Sequence, residues 1–373
     1  DAAGRKTADI DPAGRITRYA YDALGRLLAV VLPDPVSGDN PPLVGGVSPL
    51  GTTLSTRYAY DEMGNKVAQT DAEGRITRWQ YDAMGREIAR TLPGGQRETK
   101  AYNAAGELTA HTDFNGDTTR YRYTAGGYLE HTDYPNDADV SFQYNGAGER
   151  TQVQDGRGTS TTAYDRRGRM IRSVDADGGI IEYQYDAVGN LIARISPSQS
   201  LVYSHDARNR MESVTRTVDG EAPATTTYEY DQVGNRTAMT TGGVRNEYSY
   251  DRRHRLTSLL KKTAAGALLL AMNYSLDASG LRTGVEETDA SGIVRNVAYA
   301  YDATKRLISE TIDHREDAKD RLSQWTYDAV GNRLSQSVAI AGASPQTSSY
   351  AYDANDRLLT ESGAVSASYS YDA

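Results

Sequence analysis

From Arg75 to Tyr81 the side chains alternate: Thr77, Trp79 and Tyr81 share one face of an extended segment, and Ile76, Arg78 and Gln80 share the other. That is the period of two that a pleated strand imposes. The same aromatic-x-aromatic spacing returns as Tyr19/Tyr21, Tyr58/Tyr60, Tyr121/Tyr123, Phe142/Tyr144, Tyr183/Tyr185, Tyr228/Tyr230, Tyr248/Tyr250, Tyr299/Tyr301, Trp325/Tyr327, Tyr350/Tyr352 and Tyr369/Tyr371. Each such strand adds two rings to one face. Turn signals bracket the strands. In Asp71-Ala72-Glu73-Gly74 and Asp82-Ala83-Met84-Gly85 the first residue is Asp, which caps the turn backbone, and the fourth is Gly, which accepts positive φ.

The Tyr-Asp dipeptide joining strand to turn is periodic. From Tyr60 it advances by 21 residues four times, with degenerate copies at Tyr102, Tyr123 and Tyr144, and it holds near 21 to His205. A fixed period dictates stacked copies of one unit. Two four-residue turns leave 13 of the 21 residues for two strands, near the usual length of about 5–6 residues each. The expectation is an all-β, mainly antiparallel YD-repeat meander. Its signature positions are Tyr21, Asp22 and Gly25; Tyr60, Asp61 and Gly64; Tyr81, Asp82 and Gly85; Tyr164, Asp165 and Gly168; Tyr185, Asp186 and Gly189; Tyr230, Asp231 and Gly234; and Tyr327, Asp328 and Gly331. Their expected role is structural.

Two departures from the period carry information. Residues 33–54 hold five of the eleven prolines and lengthen one step to 39, which predicts a Pro/Gly-rich loop inserted between strands. Beyond His205 most steps are 25 or 26, which predicts strands about two residues, or about 7 Å, longer, unless the extra residues all sit in loops such as 219–224 and 313–319. With no other break, residues 1–373 read as a single array. Tyr371-Asp372-Ala373 ends in mid-turn without a polar cap, so the chain reads as a fragment of a longer array, with raw strand edges at either end through which it would associate when expressed alone.

Composition sharpens this picture. Hydrophobic residues make up 38% and Gly numbers 35, which suits thin, turn-rich β-structure. Tyr outnumbers Phe 27 to 2, so the rings are expected to end at water or at a hydrogen-bond partner rather than in a dry core. A sandwich would ask for a Leu/Val/Phe-rich inner face; a single curling sheet is expected instead. Only seven of the 41 basic residues are Lys. Arg can fork onto the turn carboxylates of neighbouring units and stack on Tyr, spending its charge internally. A net charge of −9 argues against nucleic-acid binding. Without Cys there is no disulfide or thiol chemistry. The longest apolar run, 264–272, is about half of a membrane span, and no segment reads as a signal peptide.

No catalytic, cofactor-binding or metal-binding residue emerges. His111 and His131 stand one unit apart, two strands or roughly 9–10 Å, too far for one zinc ion with ligands about 2 Å away. His205 replaces a repeat Tyr, His254 replaces a turn Gly, and His314 lies in a charged loop. The repeated aspartates are explained by turn capping. Asp175-Ala176-Asp177-Gly178 lacks the remaining ligands of a calcium loop.

The Tyr-Asp-x-x-Gly-Arg turn, its period near 21, the aromatic-x-Tyr strand before it and the alternate Asp-x-x-Gly-Arg turn closely resemble the YD repeat of the Rhs family, shared with the C components of insecticidal toxin complexes and with teneurins. The resemblance covers about 1–32 and 55–373. It implies a β-sheet spiralling into a curved, hollow shell, a β-cocoon, which in bacterial members encloses a toxic C-terminal domain until a secretion or injection machine delivers it. It also implies an Asp-Pro-x-Gly-Leu self-cleavage motif past the repeats. Asp11-Pro12-Ala13-Gly14-Arg15 has Arg in place of Leu and sits at the other end, as a repeat turn; self-cleavage and toxin activity therefore belong outside this chain.

The reading is a non-catalytic segment of such a shell, made in the cytoplasm and secreted or delivered by a bacterial secretion system. Its implied partners are the rest of its shell, the C-terminal toxin domain, and components of the secretion machine or toxin complex. The competing reading is an adhesion module that binds carbohydrate or protein on the Tyr stripe; an enzyme ranks third.

Overall fold

The computed structural model describes residues 1–38, 54–363 and 366–372. They form thirty-two β-strands of one antiparallel sheet, with a single 3₁₀ turn at Asp317–Lys319 and no α-helix among the described residues. Strands pair with their neighbours in sequence: Lys66–Thr70 with Ile76–Tyr81, and Ile76–Tyr81 with Glu87–Thr91. The all-β meander expected from the alternation is therefore the fold.

By contact the chain divides into two compact units. One contains Asp1–Thr99 and Met272–Ala373, the other Lys100–Ala271. In each, strands of the 21-residue repeats span five to seven residues, as in Ile76–Tyr81 and Ile180–Tyr185. In the longer repeats the extra residues extend the strands, which reach eight at Leu256–Thr263 and ten at Gly292–Tyr301. Leu27–Val31 pairs with Ser55–Tyr60, so the Pro-rich insertion leaves and re-enters the sheet between adjacent strands; its residues 39–53 lie outside those described.

No thick core accompanies the sheet. The buried apolar side chains among the described residues are small: Ala20, Ala29, Val31, Ala89, Ala193, Ala238, Ala271 and Val297. Several sit beneath bridges between longer neighbours on the face opposite the rings. Ala238 pairs with both Glu229 and Glu247, and Arg245 reaches over it to bind each of them, at 2.6 Å and 3.0 Å. Ala89 is likewise flanked by Gln80, whose amide oxygen accepts from Arg97 at 2.8 Å. A larger residue beneath would block the crossing.

At each signature tyrosine the pairing slips by one residue, between Ala20 and Tyr21, Ala59 and Tyr60, Gln80 and Tyr81, and Gln184 and Tyr185. This bulge, joined to a turn whose fourth residue has positive φ, is a common hairpin closure. It directs the Tyr ring towards the preceding repeat.

Candidate functional site: the turn clamp and the ribbon rims

Turns fall alternately on the two rims of the strand ribbon. One rim carries the Tyr-Asp turns, the other the alternate turns. In the turn 82–86, the Asp82 amide donates to the Arg86 carbonyl at 2.9 Å, and the Gly85 amide to the Asp82 carbonyl at 3.0 Å, with φ +76° at Gly85. The Asp82 carboxylate accepts from the amides of Met84 and Arg86 through Oδ1, and from Arg86 Nε at 2.7 Å through Oδ2. Asp22 and Asp165 repeat this with Arg26 and Arg169, and Asp61, Asp186, Asp231 and Asp328 with Asn65, Asn190, Asn235 and Asn332. The aspartate is thus a cap saturated with donors, and its acidity follows. The side-chain bond from Arg169 lowers the Asp165 pKa, and the one from Asn65 lowers that of Asp61.

Successive repeats are tied in both directions. The signature tyrosine reaches back: its hydroxyl donates to the carbonyl of the residue just after the preceding turn. Tyr21 donates to Lys6, Tyr60 to Leu27, Tyr81 to Lys66, Tyr164 to Arg150, Tyr185 to Met170, Tyr230 to Met211 and Tyr327 to Leu307, at 2.7–2.9 Å. The fifth turn residue, when Arg, reaches forward. Arg26 donates to the Asp61 carbonyl at 2.9 Å, Arg210 to that of Asp231 at 3.0 Å and Arg306 to that of Asp328 at 2.7 Å. The same guanidinium lies 4.6–5.1 Å from the centre of the next signature ring, Tyr60, Tyr230 or Tyr327. At the Tyr-Asp turns arginine therefore binds the carboxylate of its own turn and the backbone of the next, whereas from the alternate turns Arg15 and Arg75 also reach the carboxylates of Asp277 and Asp356, as the sequence suggested.

Within the unit formed by both chain ends, the two kinds of rim meet. Arg75, fifth in an alternate turn, donates to the Asp353 carbonyl at 3.5 Å and pairs with Asp356 at 2.8 Å. Asn355 accepts from the Gly94 amide at 2.9 Å and donates to Gln96 at 2.7 Å. Arg15 donates to Ser279, and Lys305 pairs with Asp11 at 3.2 Å. Beside this seam lies a groove of about 400 Å³ lined by Leu32, Leu54, Leu92, Arg75 and Val330 among others.

The histidines take separate roles. His131 meets Asp139 at 3.2 Å, His254 Nδ1 lies 3.0 Å from the Asn235 amide nitrogen, and His314 Nδ1 accepts from the Glu316 amide. Among the described residues no group of three or more His, Cys, Asp or Glu could hold a metal ion, and no helix is long and apolar enough to cross a membrane. The forward tie through the fifth turn residue was only half legible in the sequence. Its signal was the recurrence of Arg or Asn directly after the turn Gly.

A ribbon of hairpin repeats clamped turn to turn defines a YD-repeat β protein, and comparison with known proteins places it. The RHS repeat model matches residues 1–36, 66–97, 102–139 and 164–201, so the chain carries RHS repeats there. No curated protein matches its sequence. Among solved structures it is similar to the TcdB2-TccC3-Cdc42 crystal structure, with TM-score 0.79 and 16% identity over 92% of this chain and 20% of that one. It is also similar to the Photorhabdus luminescens Tc holotoxin pore carrying a TccC3 mutation, with TM-score 0.79 and 16% identity over 96% of this chain and 20% of that one. The TcdB2-TccC3-TEV structure gives 0.78 and 14% over 96% and 22%. The chain thus spans about a fifth of the length of the chains it matches.

Proposed function

We propose that this chain is a structural, non-enzymatic wall segment of a bacterial Rhs-type toxin, part of a curved shell that encloses a C-terminal toxin domain until delivery by a secretion or injection machine. The observation that carries this reading is the shared fold with TcdB2-TccC3 along 92% of the chain. The chemistry of the repeat agrees with it: Asp, Arg and the Tyr hydroxyls hold one repeat to the next, which builds a wall. The adhesion reading needs free ring faces and tips, whereas the signature hydroxyls are bound to backbone and many rings lie against cations. Limited proteolysis of the full-length protein tests the proposal. The C-terminal domain should survive protease within the intact protein and be cut once released. A domain cut equally fast in both states would overturn it.

A further inference from the structure

In the Tyr-Asp turns and their degenerate copies the fifth residue is Arg or Asn, Leu281 apart, except in three consecutive turns, where it is Glu107, Tyr128 and Glu149. These side chains still reach forward. A Cβ added at Gly127 would lie 3.2 Å from Glu107 Oε1, and one at Gly168 would lie 2.7 Å from Glu149 Oε1; the Tyr128 ring stacks on Tyr144 with centres 5.0 Å apart. An arginine in this place gives a donor to the carbonyl of the next turn and a cation to the next ring, and a glutamate gives neither. The Thr124 and Asp165 carbonyls accept from their own turn glycines, at 3.0 and 3.1 Å, and none of the described arginines is bonded to them. The other oxygen of each glutamate is held by Asn103 or Asn145, at 2.7 and 2.6 Å, and neither carboxylate has an ion pair among the described residues.

The surroundings favour a cation. Burial, and after it the charge of Glu107, raises the Tyr123 pKa. Residues 101–149 hold eight Asp or Glu against two Arg, which makes −6 of the chain's −9, and they lie wholly within the unit Lys100–Ala271. Because the fifth side chain lies against the next ring, as Tyr128 does against Tyr144, these groups open on the ring face of a single-layer sheet and not along the outer edge of its turns. We propose that this face binds an arginine-bearing segment of a partner polypeptide, whose guanidinium groups take the places that the ribbon's own arginines fill elsewhere. One place is formed by the Tyr123 ring, Glu107 and the Thr124 carbonyl, the other by the Tyr164 ring, Glu149 and the Asp165 carbonyl. Arginine suits them better than lysine, since its fork can bond a carboxylate and a carbonyl together while its plane lies on a ring. A segment suits them better than a small cation, because the two places are two repeats, or roughly 19 Å, apart, and Tyr128 between them is 44% exposed. The inference does not depend on what the wall encloses.

Fluorescence anisotropy tests this with a labelled peptide of alternating arginine and serine, about ten residues long, enough to span that distance when extended. The chain should bind it, and should not bind the counterpart in which citrulline, the uncharged isostere, replaces each arginine. Glu107→Arg and Glu149→Arg, made together with Asn103→Asp and Asn145→Asp, restore the Asp–Arg pair of the other turns and fill both places from within. This variant should bind at least about tenfold more weakly, since each place loses an ion contact and gains a like charge, while its thermal melt stays at or above that of the parent chain. Glu107→Gln with Glu149→Gln removes the two charges with little change of shape and should also weaken binding. Glu62→Arg, at an exposed turn position outside the site, makes the same change in net charge as either variant and should leave binding unaltered. No binding, equal binding of the citrulline peptide, binding unchanged in either variant, or an equal loss in Glu62→Arg would overturn the proposal. Free arginine competing as strongly as the unlabelled peptide would also overturn it, by showing a site for small cations.

Discussion

Tyrosine and phenylalanine differ by one oxygen, and at the second ring of each strand that oxygen donates to the preceding repeat. Replacing Tyr81 by Phe removes the bond to the Lys66 carbonyl and should cost about 0.5–1.5 kcal/mol, the net worth of a typical hydrogen bond. The first ring is less constrained and is filled by Trp79, Phe142 and Trp325 as readily as by Tyr; Tyr58→Phe should melt close to the parent chain. Gly85→Val forces a β-branched residue to φ +76° and brings Cβ to 3.3 Å from Asn65 Oδ1, and thermal melts should show a loss of about 1–3 kcal/mol. Acid acts on the aspartates. The bond from the Arg210 side chain, helped by the amides of Arg210 and Arg208, lowers Asp206 from 3.8 to about 2. A folded-state value below the unfolded one means that its contribution is fully present above about pH 4 and is lost as pH falls through about 2. Circular dichroism along an acid titration should place unfolding in that window, and Asp206→Asn should reduce the slope there. The excess of Tyr over Phe made a hydroxyl partner foreseeable. The identity of that partner, a backbone carbonyl, was not foreseeable, because it depends on the one-residue slip in pairing.

Between turns, the fifth residue of one correlates with the fourth residue of the next. Arg5, Arg26, Arg86, Arg169, Arg210, Arg255 and Arg306 are each followed, one Tyr-Asp turn on, by Gly at the fourth position. The described fourth residues that are not Gly yet take positive φ, Asn209, His254, Lys305 and Asp356, follow Asn190, Asn235, Leu281 and Asn332. An Asn at the fifth position binds the side chain that stands at the fourth position of the next turn: Asn190 meets Asn209 at 3.0 Å and Asn235 meets His254 at 3.0 Å. Asn235→Ala should therefore destabilise by removing the contact with His254, and should cost less once His254→Gly has already removed it. Urea melts of the double-mutant cycle should give a coupling of about 0.5–3 kcal/mol; additive effects would refute the pairing. Period, alternation and turn chemistry were legible because each is local. His254 looked like drift within the repeat because its justification lies 19 residues earlier, in a contact across the rim.

At the largest scale the seam joins residues about 260–280 apart in sequence, and no local pattern could announce it. In retrospect Arg15 and Arg75 mark it: both follow alternate turns, and both reach the Tyr-Asp rim. Arg75→Ala leaves Asp356 without its cation and the Asp353 carbonyl with only the Asp356 amide as donor. With Arg75 mostly shielded from solvent, a loss of about 1–3 kcal/mol is expected, with faster hydrogen exchange at the amides of Asp353–Arg357. Exchange confined to the turn 71–75 would show that the seam is not what Arg75 holds.

The backward-pointing tyrosine has a consequence for how such a chain is made. When a ribosome delivers Tyr81, the Lys66 carbonyl that receives its hydroxyl has already emerged 15 residues before; the same holds for Tyr60 and Leu27 at 33 residues. For this backward tie each new repeat meets a finished template, while its forward arginine waits only for the next turn, as Arg26 waits for Asp61, in keeping with arrays stabilised by nearest-neighbour contacts. Seam contacts such as Arg75 with Asp353 must instead wait for 278 further residues. Translation therefore sets the order of events: the ribbon lengthens repeat by repeat while the nascent chain is tethered, and its distant rims come together last.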